Sequence, residues 1–335
     1  DEHYGPLLDG SAFASAAPGA PRARRPAWPI WGVYTPITPD WPASYLWWGQ
    51  KGYEVEFTRG IRAFDQHFRK NRWTRSNVEF FFNHKKRYRW FEWDGDEPKY
   101  FKDMDYHDEM IRMWEAVTAK SPVKWVYRMD ASWQMKNQFD RLGGHRNFWV
   151  CGGFHRWYPK EVGRVVDRGE ITWWYNGTPP VQAPSSGILA LVYETWIRRL
   201  HGNCQWLTVN PGADPWFDCN GCSTGVYYPG ERFGIPGPIA SIRAKVLRNG
   251  IQDMDLLDQA VKKAGTARRV RAKLAAEVPI PVWVKPPPAA LKLPPEDWDD
   301  YNLKEGHEPE HRDKKLESSW WQDIRGRALA GEGRP

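Results

Sequence analysis

The chain has 335 residues, with 48 Lys and Arg against 41 Asp and Glu, and its net charge is +7. Hydrophobic residues make up 41% and aromatic residues 15%, which excludes a disordered chain and predicts one large domain or two smaller ones. Basic and acidic residues are mixed along the chain, which argues against nucleic-acid binding, and no apolar stretch approaches the roughly 18 residues that a transmembrane segment needs.

The predicted elements begin after a low-complexity segment. Residues 1–27 are rich in Ala, Pro, Gly and Arg without a sustained period, so we expect a flexible or draped N-terminal arm. Residues 53–72 carry apolar side chains every three or four positions, which predicts a helix. The aromatic runs at 78–83 and 88–93 are typical of buried strands.

Helices and strands then alternate along the chain. Helices are predicted at 106–119, 133–142, 158–168, 188–200 and 240–263, and strands at 123–129, 147–151, 170–175 and 205–209. This order is typical of a parallel α/β sheet or barrel, so we expect an α/β fold with a (β/α)8-like barrel over residues 28–265. Residues 266–335 read as a basic helix followed by a Pro-rich, charged C-terminal tail.

The 22 Trp residues have two interpretations. Indole rings stack on sugars, which favours a carbohydrate-binding groove or a large contact surface. A Trp-rich core explains the count equally well, and composition leaves both open.

Four cysteines stand at Cys151, Cys204, Cys219 and Cys222, and they allow three pairings. Cys219 and Cys222 have the spacing of half a zinc site, but no second Cys or His pair follows, so a loop disulfide or free thiols are favoured and no metal is expected. The chain begins with Asp and shows no charged-then-apolar leader, so we expect any signal peptide to have been removed or never to have been present.

The densest polar cluster runs from Asp94 to Pro98 and includes Asp96 and Glu97. Catalytic groups of α/β barrels lie at the carboxyl ends of strands, and the Gly and Pro that bracket Asp96 and Glu97 let the backbone turn both carboxylates toward one ligand. A surface turn whose acids cap the next helix explains the cluster equally well. A calcium loop is disfavoured because the alternation of acids stops after Asp96.

Two motifs carry a family resemblance. Asp96-Glu97-Pro98, between a strand and a helix, resembles the Asp-Glu-Pro segment of glycoside hydrolase family 123 and its relatives. Tyr228-Pro229-Gly230, Ser241-Ile242-Arg243 and residues 247–253 are similar to the signature of the domain of unknown function that forms the C-terminal part of such enzymes.

The resemblance implies a (β/α)-barrel glycosidase, in the characterised family a β-N-acetylgalactosaminidase that works by substrate assistance. It implies that Asp96 orients the 2-acetamido group of a carbohydrate substrate and that Glu97 is the general acid, kept protonated by burial or by the neighbouring Asp94. The substrate-binding candidates are Asp94, Trp174, Tyr175, Asn176 and Trp216. Tyr175 and Asn176 can equally end a strand and begin a turn. No cofactor is implied, and a secreted or periplasmic location is expected.

About 95 residues precede the Asp-Glu-Pro segment, and they offer too few βα units for a whole barrel. We therefore expect a barrel that is incomplete at its N-terminal side, with strand edges that the arm, the tail or another protein must cover. The alternative hypothesis is a non-catalytic, glycosidase-derived structural subunit of a larger assembly. Its protein partners would bind the Trp-rich surface and the C-terminal tail.

Overall fold

The fold is known from a computed structural model. It describes residues 1–13, 29–37, 50–82, 95–98, 101–131, 137–151, 159–177, 186–206, 208–209, 214, 216, 225–263, 269, 271–272, 323, 325–326 and 330. Two compact units are present, and among the described residues those up to Trp149 belong to the first unit and those from Val150 onward to the second. The predicted strand at 88–93 and Asp94 lie outside the described residues.

The helices and strands alternate in chain order. The helices are α1 (Gly5–Asp9), α2 (Tyr53–Lys70), α3 (Phe101–Thr118), α4 (Asn137–Arg141), α5 (Pro159–Asp167), α6 (Ser186–Ile197) and α7 (Ile242–Lys263). The strands are β1 (Gly32–Ile37), β2 (Asn77–Phe82), β3 (Lys124–Ala131), β4 (Asn147–Cys151), β5 (Ile171–Gly177), β6 (Gly202–Trp206), β7 (Tyr227–Pro229) and β8 (Pro238–Ala240).

The strands β1 to β6 form one sheet in chain order, and β7 and β8 form a separate antiparallel pair. The pairs β1–β2, β2–β3 and β5–β6 are parallel. The predicted mixed α/β fold with a parallel sheet is therefore confirmed. Sequential parallel strands joined through helices are compatible with part of a (β/α) barrel.

Most predicted elements appear within a few residues of their expected bounds. The strand at 147–151 has those bounds, whereas α3 begins at Phe101, five residues early, and β6 begins at Gly202, three residues early. The prediction missed β1, in which Pro36 interrupts the apolar pattern. Proline removes a backbone donor and is tolerated at a sheet edge, and β1 is the first strand of this sheet.

The core of the first unit is an aromatic layer between the sheet and helices α2 and α3. Alternate residues of a strand point to the same face, so Phe80 and Phe82 of β2 both face these helices. Phe80 lies 5.7 Å from Phe57 of α2 and 5.5 Å from Tyr127 of β3, measured between ring centroids. Trp114 of α3 lies 5.5 Å from Tyr127 and is fully buried. Several tryptophans therefore belong to the core, as one interpretation of the composition proposed.

One buried carboxylate connects α2 with β3 through a hydrogen bond. Asp65, on α2, accepts a hydrogen bond of 2.9 Å from the indole nitrogen of Trp125 and a second one from the Ser121 hydroxyl. Asp65 is 6% exposed, so these donors replace the water that the carboxylate loses on folding.

In the second unit, α6 and α7 pack closely against each other. Trp196 of α6 donates from Nε1 to Asp258 of α7 at 2.8 Å, and the Tyr193 hydroxyl donates to Asp253 at 3.1 Å. At Gly250 a Cβ would lie 3.3 Å from Val192, so the absence of a side chain permits this approach of the two helices.

Candidate functional site

Asp96 and Glu97 lie in the connection from β2 to α3. In a parallel sheet this connection leaves the carboxyl end of its strand, where barrel enzymes carry their catalytic groups. Both residues are half-buried, and the flanking Gly95 and Pro98 are buried. Glu97 has a φ of 59°, a left-handed conformation that costs a non-glycine residue about 1 kcal/mol. The turn predicted around the two carboxylates is therefore present.

A second polar group lies on the face of the sheet that points away from α2 and α3, which we call the helix-free face with reference to these two helices. It consists of Glu79 on β2 with Arg128 and Asp130 on β3. Phe80 faces the helices, so its neighbours Glu79 and Phe81 point to the other side. Glu79 pairs in register with Val126, and Arg128 follows Val126 by two residues on the same face.

Arg128 joins the two carboxylates. Its Nε and Nη2 donate to the two carboxylate oxygens of Asp130 at 2.7 and 3.0 Å, and its Nη1 donates to Glu79 Oε2 at 3.2 Å. The exposed side-chain fractions are 14% for Arg128, 10% for Glu79 and 7% for Asp130. Bidentate, charge-assisted hydrogen bonds of this kind hold a guanidinium firmly in place.

Burial and charge oppose each other at Glu79. Burial raises the pKa of Glu79 above its usual value, and the Arg128 guanidinium offsets part of this shift. Asp130 adds a smaller like-charge effect that also raises the pKa of Glu79. A carboxyl group that binds a proton more readily than a free Glu is suited to proton transfer.

Aromatic side chains surround this group. The Arg128 guanidinium lies 4.2 Å from the ring centroid of Phe81 and 5.9 Å from those of Tyr34 and Phe148. Tyr34 is 45% exposed, so the helix-free face is open to solvent along β1. Aromatic rings beside carboxylates and a guanidinium suit a ligand with both apolar faces and hydroxyl groups, as sugars have.

Glu79, Arg128 and Asp130 are functional candidates that were not predicted from the sequence. A signal was present, since Glu79 interrupts an apolar run and Arg128 and Asp130 alternate with apolar residues in a strand. Polar residues at period two mark one strand face, but their partners on other strands depend on the register.

The remaining predicted substrate-binding residues belong to the second unit. Trp174 of β5 is 1% exposed, so a sugar could stack on it only after its neighbours moved. Tyr175 is half-buried, and Asn176 pairs in register with Gln205 near the end of β5. Trp216 stacks on Tyr228 at 4.5 Å and donates from Nε1 to the Pro229 carbonyl oxygen at 3.1 Å.

No protein-family model matches this sequence, and no curated protein matches it either. Among the described residues, no group of three or more His, Cys, Asp or Glu side chains is arranged to hold a metal ion. Cys151 is buried and Cys204 is half-buried, while Cys219 and Cys222 lie outside the described residues. Within the part of the chain that the structure describes, no helix is long and apolar enough to cross a membrane.

Proposed function

We propose that the protein is a glycoside hydrolase that acts on β-linked, N-acetylated sugars, with Glu97 as the general acid and Asp96 as the residue that orients the acetamido group. The observation that carries the proposal is the position of this half-buried pair in the connection after β2 of a parallel sheet. The resemblance of Asp96-Glu97-Pro98 to the Asp-Glu-Pro segment of glycoside hydrolase family 123 supports the same assignment. On this proposal, the six-stranded sheet is part of a (β/α)8-like barrel that lacks strands at its N-terminal side.

In the proposed reaction Glu97 gives its proton to the glycosidic oxygen while the bond from that oxygen to the anomeric carbon breaks. The acetamido oxygen of the substrate attacks the anomeric carbon, and Asp96 accepts the hydrogen bond of the acetamido N–H. Water then opens the cyclic intermediate and returns a proton to Glu97, which acts as the base in this second step.

The helix-free face of the first unit supports the proposed substrate class. Glu79 belongs to β2, the strand from which the connection with Asp96 and Glu97 departs. Its carboxylate, the exposed ring of Tyr34 and the guanidinium of Arg128 combine hydrogen-bonding groups with an aromatic surface. The binding roles of Trp174, Tyr175, Asn176 and Trp216 stay predictions.

The test compares hydrolysis of two β-N-acetylgalactosaminides, one with an activated aryl leaving group and one with an alkyl leaving group. General acid catalysis contributes about 10² to 10⁴ in rate. Glu97→Gln should therefore lose most of its activity on the alkyl glycoside and less on the aryl glycoside, which departs without protonation. Asp96→Asn should lose activity on both substrates.

Glu109→Gln is the matched control, because Glu109 is an exposed carboxylate on α3 and should leave both rates unchanged. Variants of Asp96 and Glu97 that are as active as the parent would overturn the residue assignment. A folded parent that hydrolyses neither substrate would overturn the enzymatic proposal and favour the non-catalytic subunit.

A further inference from the structure

The second unit contains a cavity with a volume of about 680 Å³, and every described residue that lines it belongs to that unit. Leu247, Ile251 and Met254 of α7 and Val192 of α6 supply an apolar wall. Ile251 is 52% exposed, so the cavity opens to solvent beside α7. A volume of this size and an apolar wall are usual for sites that bind small molecules.

One group of polar residues in the cavity comes from the turn between α6 and β6 and from the first residues of β6. They include Arg199, His201 and Asn203. Arg199 has a φ of 64°, a left-handed conformation that is uncommon for a residue with a side chain. Because β6 begins at Gly202, these residues lie at the amino end of the strand, opposite the end where parallel-sheet enzymes carry their catalytic groups.

Two buried nitrogen donors of the cavity lining have no hydrogen-bond acceptor within the described part of the chain. They are Nδ2 of Asn203 and Nε of Arg271. The orientation of the Asn203 amide is set by its Oδ1, which accepts a hydrogen bond of 2.8 Å from Gln205 Nε2. Buried donors are almost always paired in folded proteins, so this pair indicates a missing acceptor.

His201 adds a third donor. Its Nδ1 accepts a hydrogen bond of 3.1 Å from the Thr172 backbone N–H, which leaves the ring proton on Nε2. Burial and the neighbouring Arg199 lower the pKa of His201, which favours the neutral ring.

The acidic groups near the cavity differ in their partners. Asp258 accepts hydrogen bonds from Trp196 and Arg271, and Lys262 lies 3.8 Å from it. Asp255 also lines the cavity, on the α7 side. The two donors without an acceptor therefore belong to β6 and to Arg271, which follows α7 in the chain.

We propose that this cavity binds a small organic monocarboxylate, with its apolar body against α7 and its carboxylate held by Asn203, Arg271 and His201. A carboxylate has two acceptor oxygens, and a guanidinium binds it better than it binds a neutral carbonyl or hydroxyl group. The proposal does not depend on the glycosidase proposal, because the cavity uses neither Asp96 nor Glu97.

Hexanoate is the probe and hexanol its neutral counterpart, and binding to the full chain is measured by titration calorimetry. The parent should bind hexanoate at least tenfold more tightly than hexanol. Arg271→Met and Asn203→Ala should each weaken hexanoate binding about tenfold and leave hexanol binding unchanged. Arg248→Met is the matched control and should bind hexanoate like the parent, because Arg248 is an exposed arginine of α7 that does not line the cavity.

If Arg271→Met fails to fold, Asn203→Ala still tests the proposal, because the Asn203 side chain is uncharged and its removal breaks no ion pair. The proposal is overturned if the folded parent shows no saturable hexanoate binding at millimolar concentration. It is equally overturned if hexanoate and hexanol bind alike, or if the Arg248 control weakens hexanoate binding as much as the two cavity variants do.

Discussion

Replacing Arg128 by Met tests the ionic group on the helix-free face. Methionine keeps most of the aliphatic length but removes three hydrogen bonds, of 2.7, 3.0 and 3.2 Å, to Asp130 and Glu79. Both carboxylates stay in place, with 7% of the Asp130 and 10% of the Glu79 side chain exposed. The change therefore leaves two neighbouring buried negative charges without their shared cation.

Removing one partner of a buried ion pair costs about 3 to 5 kcal/mol. This is a large part of the roughly 5 to 15 kcal/mol by which folded domains are stable. We expect Arg128→Met to lower the free energy of unfolding at pH 7 by an amount in this range.

The loss should depend on pH in a defined direction. Burial already raises the pKa of Glu79 in the parent, and removing Arg128 takes away the group that opposes this shift. At pH values above the ordinary Glu pKa of 4.5, Glu79 of the folded variant therefore still binds a proton that the unfolded chain has released. Its stability falls as the pH rises through this window, so the difference from the parent is smaller at pH 4.5 than at pH 7.

Urea unfolding, followed by tryptophan fluorescence at both pH values, measures this difference. The control is Arg112→Met, which breaks a pair with Glu54 in which both side chains are more than half exposed, and it should cost less than about 1 kcal/mol. Arg128→Lys restores a charge without the bidentate geometry and should fall between Arg128→Met and the parent. Equal losses for Arg128→Met and Arg112→Met, or a loss that is independent of pH, would refute the reasoning.

Two further predictions concern packing. Asp65→Ala leaves the buried indole N–H of Trp125, now bonded at 2.9 Å, without an acceptor, and it should cost about 2 to 3 kcal/mol in urea unfolding; a loss below about 0.5 kcal/mol would contradict this role. Gly202→Ala places a Cβ 2.5 Å from the Trp173 ring and should lower stability by about 1 to 3 kcal/mol. Gly163→Ala should raise stability by up to about 1 kcal/mol, because Gly163 lies in a helix and a Cβ there would meet nothing within 4 Å. Thermal unfolding of both glycine variants measures these two changes.

The sequence was sufficient for elements whose signal is local. The apolar spacing of α2 and α7 and the short aromatic strand Asn147–Cys151 identify these segments without knowledge of their neighbours. The same is true of the turn at Asp96 and Glu97, because Gly95 and Pro98 are adjacent to it in the chain. The alternation of these elements also predicted a parallel sheet.

The antiparallel pair β7–β8 and the strand β1 were not predicted. Each β7–β8 strand has three residues, too few for a periodic pattern, and the pair forms because Tyr227 and Ala240 meet in register. Such a short strand is defined by its partner rather than by its own residues.

Local pattern determined which segments become helices and strands, since periodicity and turn residues act over a few neighbouring positions. Tertiary structure decided which polar side chains meet. Glu79 and Arg128 are 49 positions apart in the chain, and the register of β2 against β3 brings them within hydrogen-bonding distance. In the second unit, Arg271 contacts Asp258 of α7 and the Trp196 ring of α6, and it lines one cavity together with Asn203 of β6. Strand register and helix packing bring together residues that are distant in sequence, and the local sequence pattern does not predict these contacts.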